Sequence, residues 1–107
     1  MTNRTRLAAI GVLVASMATT ALAQDTATDT YKAKCAMCHA ADGSGSTPAG
    51  KAMKAVPFNS PDLVKASDAD LIAATKNGKA KMPAYSGKLT DGQITAVVAY
   101  IRTLQKK

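Results

Sequence analysis

The sequence predicts an all-helical domain with long loops. Apolar residues recur at three- and four-residue spacing near the C-terminus, which is typical of the buried face of an amphipathic helix. Ser67 stands three residues before Asp70, and Thr90 three residues before Gln93, as in a capping box. No segment alternates apolar and polar residues in the manner of a half-buried strand. The 107 residues allow one domain.

Residues 1–23 have the layout of a secretory signal peptide. Two arginines and no acidic residue precede the apolar stretch Leu7 to Ala18, and the segment closes on the small residues Ala21 and Ala23. We expect cleavage before Gln24, which leaves residues 24–107 as a soluble domain in the periplasm. The alternative is an uncleaved membrane anchor, but the apolar stretch is shorter than the ~20 residues that span a bilayer.

The first predicted helix covers about Thr28 to Cys38. The composition of residues 42–50 predicts a loop, and residues 79–88 form a second one. Between these loops, Ser60 and Pro61 predict the start of a short helix, with serine as the N-cap and proline at the first helical position.

The two remaining helices carry capping signals. Ser67 and Asp70 are spaced as a variant of the capping box, and Gly78 is placed to end the helix that they begin. Thr90 and Gln93 form the second capping box. The helix that follows has an apolar face made of Ile94, Val97, Val98, Ile101 and Leu104.

The predicted domain has little large apolar material. Its aromatic residues are Tyr31, Phe58, Tyr85 and Tyr100, and alanine dominates the other apolar residues. A domain of 84 residues buries a modest fraction of its surface and often needs a metal or a cofactor. We therefore expect a large apolar group, which the chain does not supply, to complete the core.

The charge of the chain is positive, with a formal value of +7. Removal of residues 1–23 leaves 12 basic residues against seven aspartates, a net charge of about +5. This charge serves solubility or steers the protein toward an acidic partner, and the sequence leaves both interpretations open. We expect no binding to nucleic acid, because the protein is exported and its aromatic residues do not interleave with the basic ones.

Both cysteines and the only histidine lie within the five residues Cys35-Ala36-Met37-Cys38-His39. On a helical turn, two thiols three residues apart can each add to a vinyl group of a haem, and the imidazole of the next residue then lies under the iron. This pattern is typical of c-type haem attachment. Such attachment occurs outside the cytoplasm, in agreement with the export signal.

Three other interpretations of the cysteines are weaker. A thioredoxin-like redox pair needs a βαβ context, and no strand is predicted before the motif. A disulfide across three residues closes a very small loop and stabilises little. A zinc site needs a fourth ligand, for which the sequence holds no further cysteine or histidine.

The second axial ligand of the iron is expected to be a methionine, because no second histidine exists. Met37 lies between the two cysteines and cannot reach the opposite face of the haem, which leaves Met53 and Met82. Met82 is favoured because it lies in a loop between two predicted helices, next to Pro83, which stiffens the backbone. Met53 could instead fill a gap in the core.

The sequence resembles the class I cytochromes c, and more closely the small bacterial periplasmic type. The resemblance covers essentially the whole domain. It is carried by Tyr31, Cys35 to His39, Asp42-Gly43, Lys81 to Tyr85 and Val97 to Arg102.

The resemblance implies the cytochrome c fold, in which the first and last helices cross nearly at right angles and the middle helices and loops surround one haem. In this fold Ala27 would permit close approach of the two helices, with Tyr31 and Tyr100 near the crossing. The carbonyl of Pro48 would accept a hydrogen bond from Nδ1 of His39.

The resemblance also implies a monomeric one-electron carrier with a single covalently attached haem c, bound through Cys35 and Cys38. His39 and Met82 would be the axial ligands, and no residue would be catalytic. The rival hypothesis is a haem enzyme or a gas or redox sensor with a displaceable sixth ligand. Lysines 76, 79, 81 and 88 surround Met82 in the sequence and predict docking to redox partner proteins with an acidic surface.

Overall fold

The computed structural model describes Gly11 and residues 17–106, with side chains from Thr26 onward. In this part of the chain the elements are helices and the predicted all-α class is confirmed. The predicted signal peptide falls largely outside the described residues and stays a prediction. The helices are α1 (Met17–Lys34), α2 (Ala36–His39), α3 (Pro48–Ala52), α4 (Pro61–Lys65), α5 (Asp68–Asn77) and α6 (Asp91–Leu104).

The capping signals placed three helices correctly. Ser60 is the N-cap of α4, with Pro61 at its first position. The Ser67 hydroxyl accepts a hydrogen bond from the Asp70 amide at 3.0 Å, and α5 ends at Gly78 with a positive φ of 76°. The complete capping box before α6 is also confirmed.

Two of the predicted segments have wrong bounds. The helix predicted over Thr28 to Cys38 begins earlier, at Met17, and breaks at Cys35, so that α2 carries the rest of the motif. The loop predicted over residues 42–50 contains the start of α3. The Thr47 hydroxyl caps α3 by accepting a hydrogen bond from the Gly50 amide at 2.9 Å, and Pro48 occupies its first turn.

Helices α1 and α6 pack against each other, as the resemblance predicted. Ala27 is buried in α1, and the side chain of Tyr31 is fully buried. The Tyr31 and Tyr100 rings lie 5.1 Å apart between centroids, in the tilted arrangement that aromatic pairs favour. The core continues from this pair through Cys35, Phe58, Val97, Ile101 and Leu104.

Arg102 of α6 holds the segment that joins α4 to α5. Its guanidinium donates to the backbone carbonyls of Leu63, at 3.1 Å, and Ala66. It also pairs with the Asp68 carboxylate at 2.8 Å. The planar guanidinium of arginine can donate to these acceptors at the same time, whereas the ammonium group of a lysine lacks the geometry to do so.

Replacement of Arg102 by alanine should lower the free energy of unfolding by about 2–3 kcal/mol, because the partly buried carbonyls of Leu63 and Ala66 lose the guanidinium donor. Denaturant unfolding of the purified protein measures this. Asp68→Asn is the matched control: it removes an ion pair whose carboxylate is exposed, and should cost less than about 1 kcal/mol. Equal losses in the two variants would mean that the ion pair, and not the carbonyl contacts, stabilises this segment.

Candidate functional site

A cavity of about 500 Å³ lies beside the segment that carries both cysteines. Its wall contains residues of α1, α2, α4, α5 and α6 and of the loop between α5 and α6. The structure brings to this one cavity all four residues that the sequence singled out: Cys35, Cys38, His39 and Met82. Apolar contributions to the wall come from Phe58, Leu63, Leu71, Val97 and Ile101.

The two cysteines lie where α1 passes into α2. The Cys35 amide donates to the Tyr31 carbonyl at 2.8 Å, and the His39 amide donates to the Cys35 carbonyl at 3.0 Å. Helical hydrogen bonding therefore continues across the break and fixes the spacing of the motif. Cys35 is buried, and burial raises the pKa of its thiol to about 11, so the group is protonated at neutral pH. Cys35 and Cys38 do not form a disulfide with each other.

His39 is held flat against Phe58, with ring centroids 4.6 Å apart and an interplanar angle of 22°. Burial lowers the pKa of the imidazole, which keeps it neutral and leaves one ring nitrogen with a free lone pair. Nδ1 is buried and has no hydrogen-bond partner among the described residues. The predicted bond to the Pro48 carbonyl is therefore not formed; Pro48 starts α3, where its carbonyl is directed along the helix axis.

Helix α3 packs closely on the cysteine motif. The Thr47 hydroxyl donates to the Met37 carbonyl at 2.6 Å and lies 3.2 Å from the Cys38 carbonyl oxygen. Gly50 lies so close to the motif that an added Cβ would overlap the Cys38 carbonyl oxygen. No sequence pattern was taken to predict a role for Thr47, Gly50 or Phe58, although threonine before proline is itself a helix-start signal.

Met82 lies in a tight turn. Its amide donates to the Lys79 carbonyl at 2.9 Å, and the Lys79 amide donates back to the Met82 carbonyl at 3.2 Å. Gly78 permits this turn: its φ is positive, and an added Cβ would lie 2.7 Å from the Met82 carbonyl oxygen. Met82 is half-buried, whereas Met53 and Met37 are 49% and 73% exposed, although these two methionines also line the cavity.

Comparison with known proteins identifies the family. The family model described as "Cytochrome C oxidase, cbb3-type, subunit III" matches residues 22–101. The chain is 40% identical over 73 residues to cytochrome c6 of Leptolyngbya boryana, covering 66% of this chain and 80% of that protein. It is 36% identical over 95 residues to cytochrome c6 of Thermosynechococcus vestitus, covering 87% of this chain and 81% of that protein.

The chain belongs to the cytochrome c family. It is a small monohaem class I cytochrome, an electron-transfer protein and not an enzyme, and its cofactor is haem c. It is also 29% identical to subunit CcoP of the cbb3-type cytochrome c oxidase of Azospirillum brasilense, over 95% of this chain but 36% of that protein. Among the described residues, no helix of this cytochrome has the length and apolarity to cross a membrane.

The cavity of this cytochrome fits a haem. Its wall is largely apolar, and both thiols of the attachment motif reach it. The neutral imidazole of His39 has the protonation state that a metal ligand requires. Within residues 17–106, no three thiol, imidazole or carboxylate groups come together as an independent metal site would need.

Four lysines line the cavity: Lys34, Lys54, Lys79 and Lys81. The described lining residues include no aspartate. Lys79 and Lys81 were predicted from the sequence to serve docking, whereas Lys34 and Lys54 were not, because the fold brings them to the cavity from distant parts of the chain. Lys76 was also predicted, but it is paired with Asp91 at 3.0 Å, so its charge is partly compensated.

Replacement of Gly50 by alanine should lower the free energy of unfolding by about 1–3 kcal/mol, because the new methyl group forces α3 away from the cysteine motif. Gly92→Ala is the matched control, since a Cβ there meets only the Thr90 hydroxyl, at 3.9 Å, and alanine favours the helix. It should leave stability unchanged or slightly higher in denaturant unfolding. A destabilisation of the same size in both variants would contradict the close contact at Gly50.

Proposed function

We propose that this cytochrome is a periplasmic one-electron carrier with His39 and Met82 as axial ligands of the haem iron. The thiols of Cys35 and Cys38 would form the two thioether bonds to the haem. The observation that carries the proposal is that one apolar cavity receives both thiols, the neutral imidazole and the half-buried thioether. This combination serves electron transfer because both axial positions are then filled by the protein.

The residues around the cavity fix the two ligands in different ways. His39 is held by the helical hydrogen bonds of the motif and by the Phe58 ring. Met82 is held by the paired backbone bonds of its turn, next to Pro83. When bound, the haem supplies an iron that alternates between the ferrous and ferric states, and a thioether ligand favours the ferrous state.

Met82 is preferred to Met53 as the second ligand. It is the less exposed of the two side chains and lies in a turn closed by two hydrogen bonds. Met53 ends α3, just after the residues that pack on the cysteine motif, and it is half exposed. A residue on the same side as the motif is badly placed to approach the opposite face of the haem.

Export is part of the proposal. The arginines and the apolar stretch within residues 1–23 support a cleaved signal peptide. The mature protein would be a monomeric domain of residues 24–107 that folds around its haem outside the cytoplasm.

Docking to an acidic redox partner follows from the lysines at the cavity. Lys34, Lys54, Lys79 and Lys81 line the same cavity, and the described lining residues include no aspartate. Lys88 lies near the same loop, with its Nζ 5.7 Å from the centre of the Tyr85 ring. A concentration of one charge orients the protein before contact and raises the association rate, while the complex stays weak enough to separate.

Replacement of Met82 by alanine should abolish the weak sulfur-to-iron absorption of the oxidised protein at the red end of the visible spectrum. It should also lower the reduction potential and allow the reduced protein to bind carbon monoxide, because the sixth position is then open. The spectrum, a redox titration and carbon monoxide binding measure the three effects.

Met53→Ala is the matched control and should change none of the three. The reverse pattern would transfer the ligand role to Met53. Prompt carbon monoxide binding by the unmodified protein would instead favour the rival function, a haem enzyme or sensor with a displaceable ligand.

The double replacement of Lys79 and Lys81 by glutamate should slow electron transfer to an acidic redox protein by at least about tenfold at low salt, because steering is reversed. The difference should shrink as salt shortens the Debye length toward about 8 Å. Stopped-flow rates at several salt concentrations measure both effects.

The matched control for charge is the double replacement of Lys65 and Lys106 by glutamate. It changes the net charge equally at two lysines that do not line the cavity. Equal slowing in both double variants would mean that net charge, and not local docking, controls the rate. No slowing in either variant would overturn the docking proposal.

A further inference from the structure

Tyr85 connects the loop that carries Met82 to the helix that leads into the cysteine motif. Its hydroxyl donates to the Lys34 carbonyl at 2.9 Å, across 51 residues of sequence. Tyr85 lies three residues after Met82, and Lys34 lies immediately before Cys35. We propose that Tyr85 is a positioning residue, which keeps the Met82 thioether on the iron by tying its loop to the end of α1. This inference rests on the proposed function, in which Met82 is an axial ligand.

The Lys34 carbonyl is suited to receive this bond. Lys34 is the last residue of α1, where backbone carbonyls lack partners within the helix. The Cys38 amide, which would serve the Lys34 carbonyl in a continuous helix, donates to the Cys35 carbonyl at 3.2 Å. The break at Cys35 therefore leaves an acceptor at the negative end of the α1 dipole, and the phenol supplies its donor.

The backbone of Tyr85 is anchored on the other side of the loop. Its amide donates to the carbonyl of Thr75 in α5 at 3.0 Å, and Thr75 is buried. Tyr85 is thus the residue at which the loop bonds to both α5 and α1. Since three residues span at most about 10 Å and Pro83 restricts the backbone, movement at Tyr85 is transmitted to Met82.

The hydroxyl bond adds to the cost of opening the loop. Any opening that withdraws Met82 from the cavity while Tyr85 moves must break the bond to Lys34, which joins two residues of the cavity wall. Loss of one neutral hydrogen bond shifts the equilibrium between the closed and the open loop by about fivefold. An added ligand that competes with Met82 for the iron should detect that change directly.

The test uses imidazole as the competing ligand of the oxidised holoprotein. Tyr85→Phe removes only the hydroxyl and should raise the affinity for imidazole about fivefold. Tyr31→Phe is the matched control, because it removes a hydroxyl that donates to the Ala40 carbonyl at 2.6 Å on the histidine side. It should lower stability in denaturant unfolding while leaving the imidazole affinity at the parental value.

A third variant separates this inference from the axial assignment. In Met82→Ala, imidazole should bind far more tightly, and adding Tyr85→Phe should change its affinity no further, because no thioether remains to be positioned. If Met82→Ala keeps the sulfur-to-iron absorption and the parental affinity, the axial assignment fails and this inference fails with it. If Met82→Ala behaves as expected but Tyr85→Phe binds imidazole like the parent or like Tyr31→Phe, only the positioning role is overturned.

Discussion

The buried ring of Tyr31 joins the helix packing of this cytochrome to its functional site. Its ring contacts Tyr100 of α6 on one side and Phe58, with centroids 6.4 Å apart, on the other. Phe58 in turn stacks on His39. Burial strongly raises the pKa of the Tyr31 phenol, so the group is neutral and remains a hydrogen-bond donor. A displacement of α1 against α6 would therefore be transmitted through two aromatic contacts to the imidazole.

The core and the cavity are continuous in this chain. Phe58, Val97 and Ile101 belong to the core cluster and also line the cavity, so the same side chains support the helices and face the cofactor. A domain this small, with four aromatic residues, has little other apolar material to fill its centre. Contacts between the covalently attached haem and these side chains would form only in the folded state and would add to its stability. Folding and cofactor attachment are thus coupled through shared residues.

The sequence was sufficient for features that depend on local chemistry. Helices α5 and α6 were predicted because capping side chains bond to amides three residues away, and the haem cofactor because two thiols and an imidazole are adjacent in the sequence. The contact between Phe58 and His39 could not be predicted, because it joins two segments whose relative placement only the fold determines. The same limit applies to Lys34 and Lys54 at the cavity. Helix α3 was missed for another reason. The glycines and serines before Thr47 predicted a loop, although Thr47 and Pro48 are themselves an N-cap and a first helical residue.

The histidine side of the site is more rigidly built than the methionine side. Ala40, directly after His39, has φ 65° and ψ 163°, a conformation that costs a non-glycine residue about 1–3 kcal/mol. Such strain persists only where the surroundings fix the backbone. Here the Ala40 carbonyl accepts hydrogen bonds from the Tyr31 hydroxyl and, at 3.2 Å, from the Gly43 amide.

The methionine loop is held by the two backbone bonds of its own turn and, at its end, by the bonds of Tyr85 to Thr75 and Lys34, and several of its residues are exposed. If His39 and Met82 are the axial ligands, as proposed, then stacking of the first on Phe58 and attachment of the second by a few separable bonds would limit ligand exchange to the methionine side. Changes to the methionine loop would then adjust the iron site without disturbing the helix packing on which the fold depends.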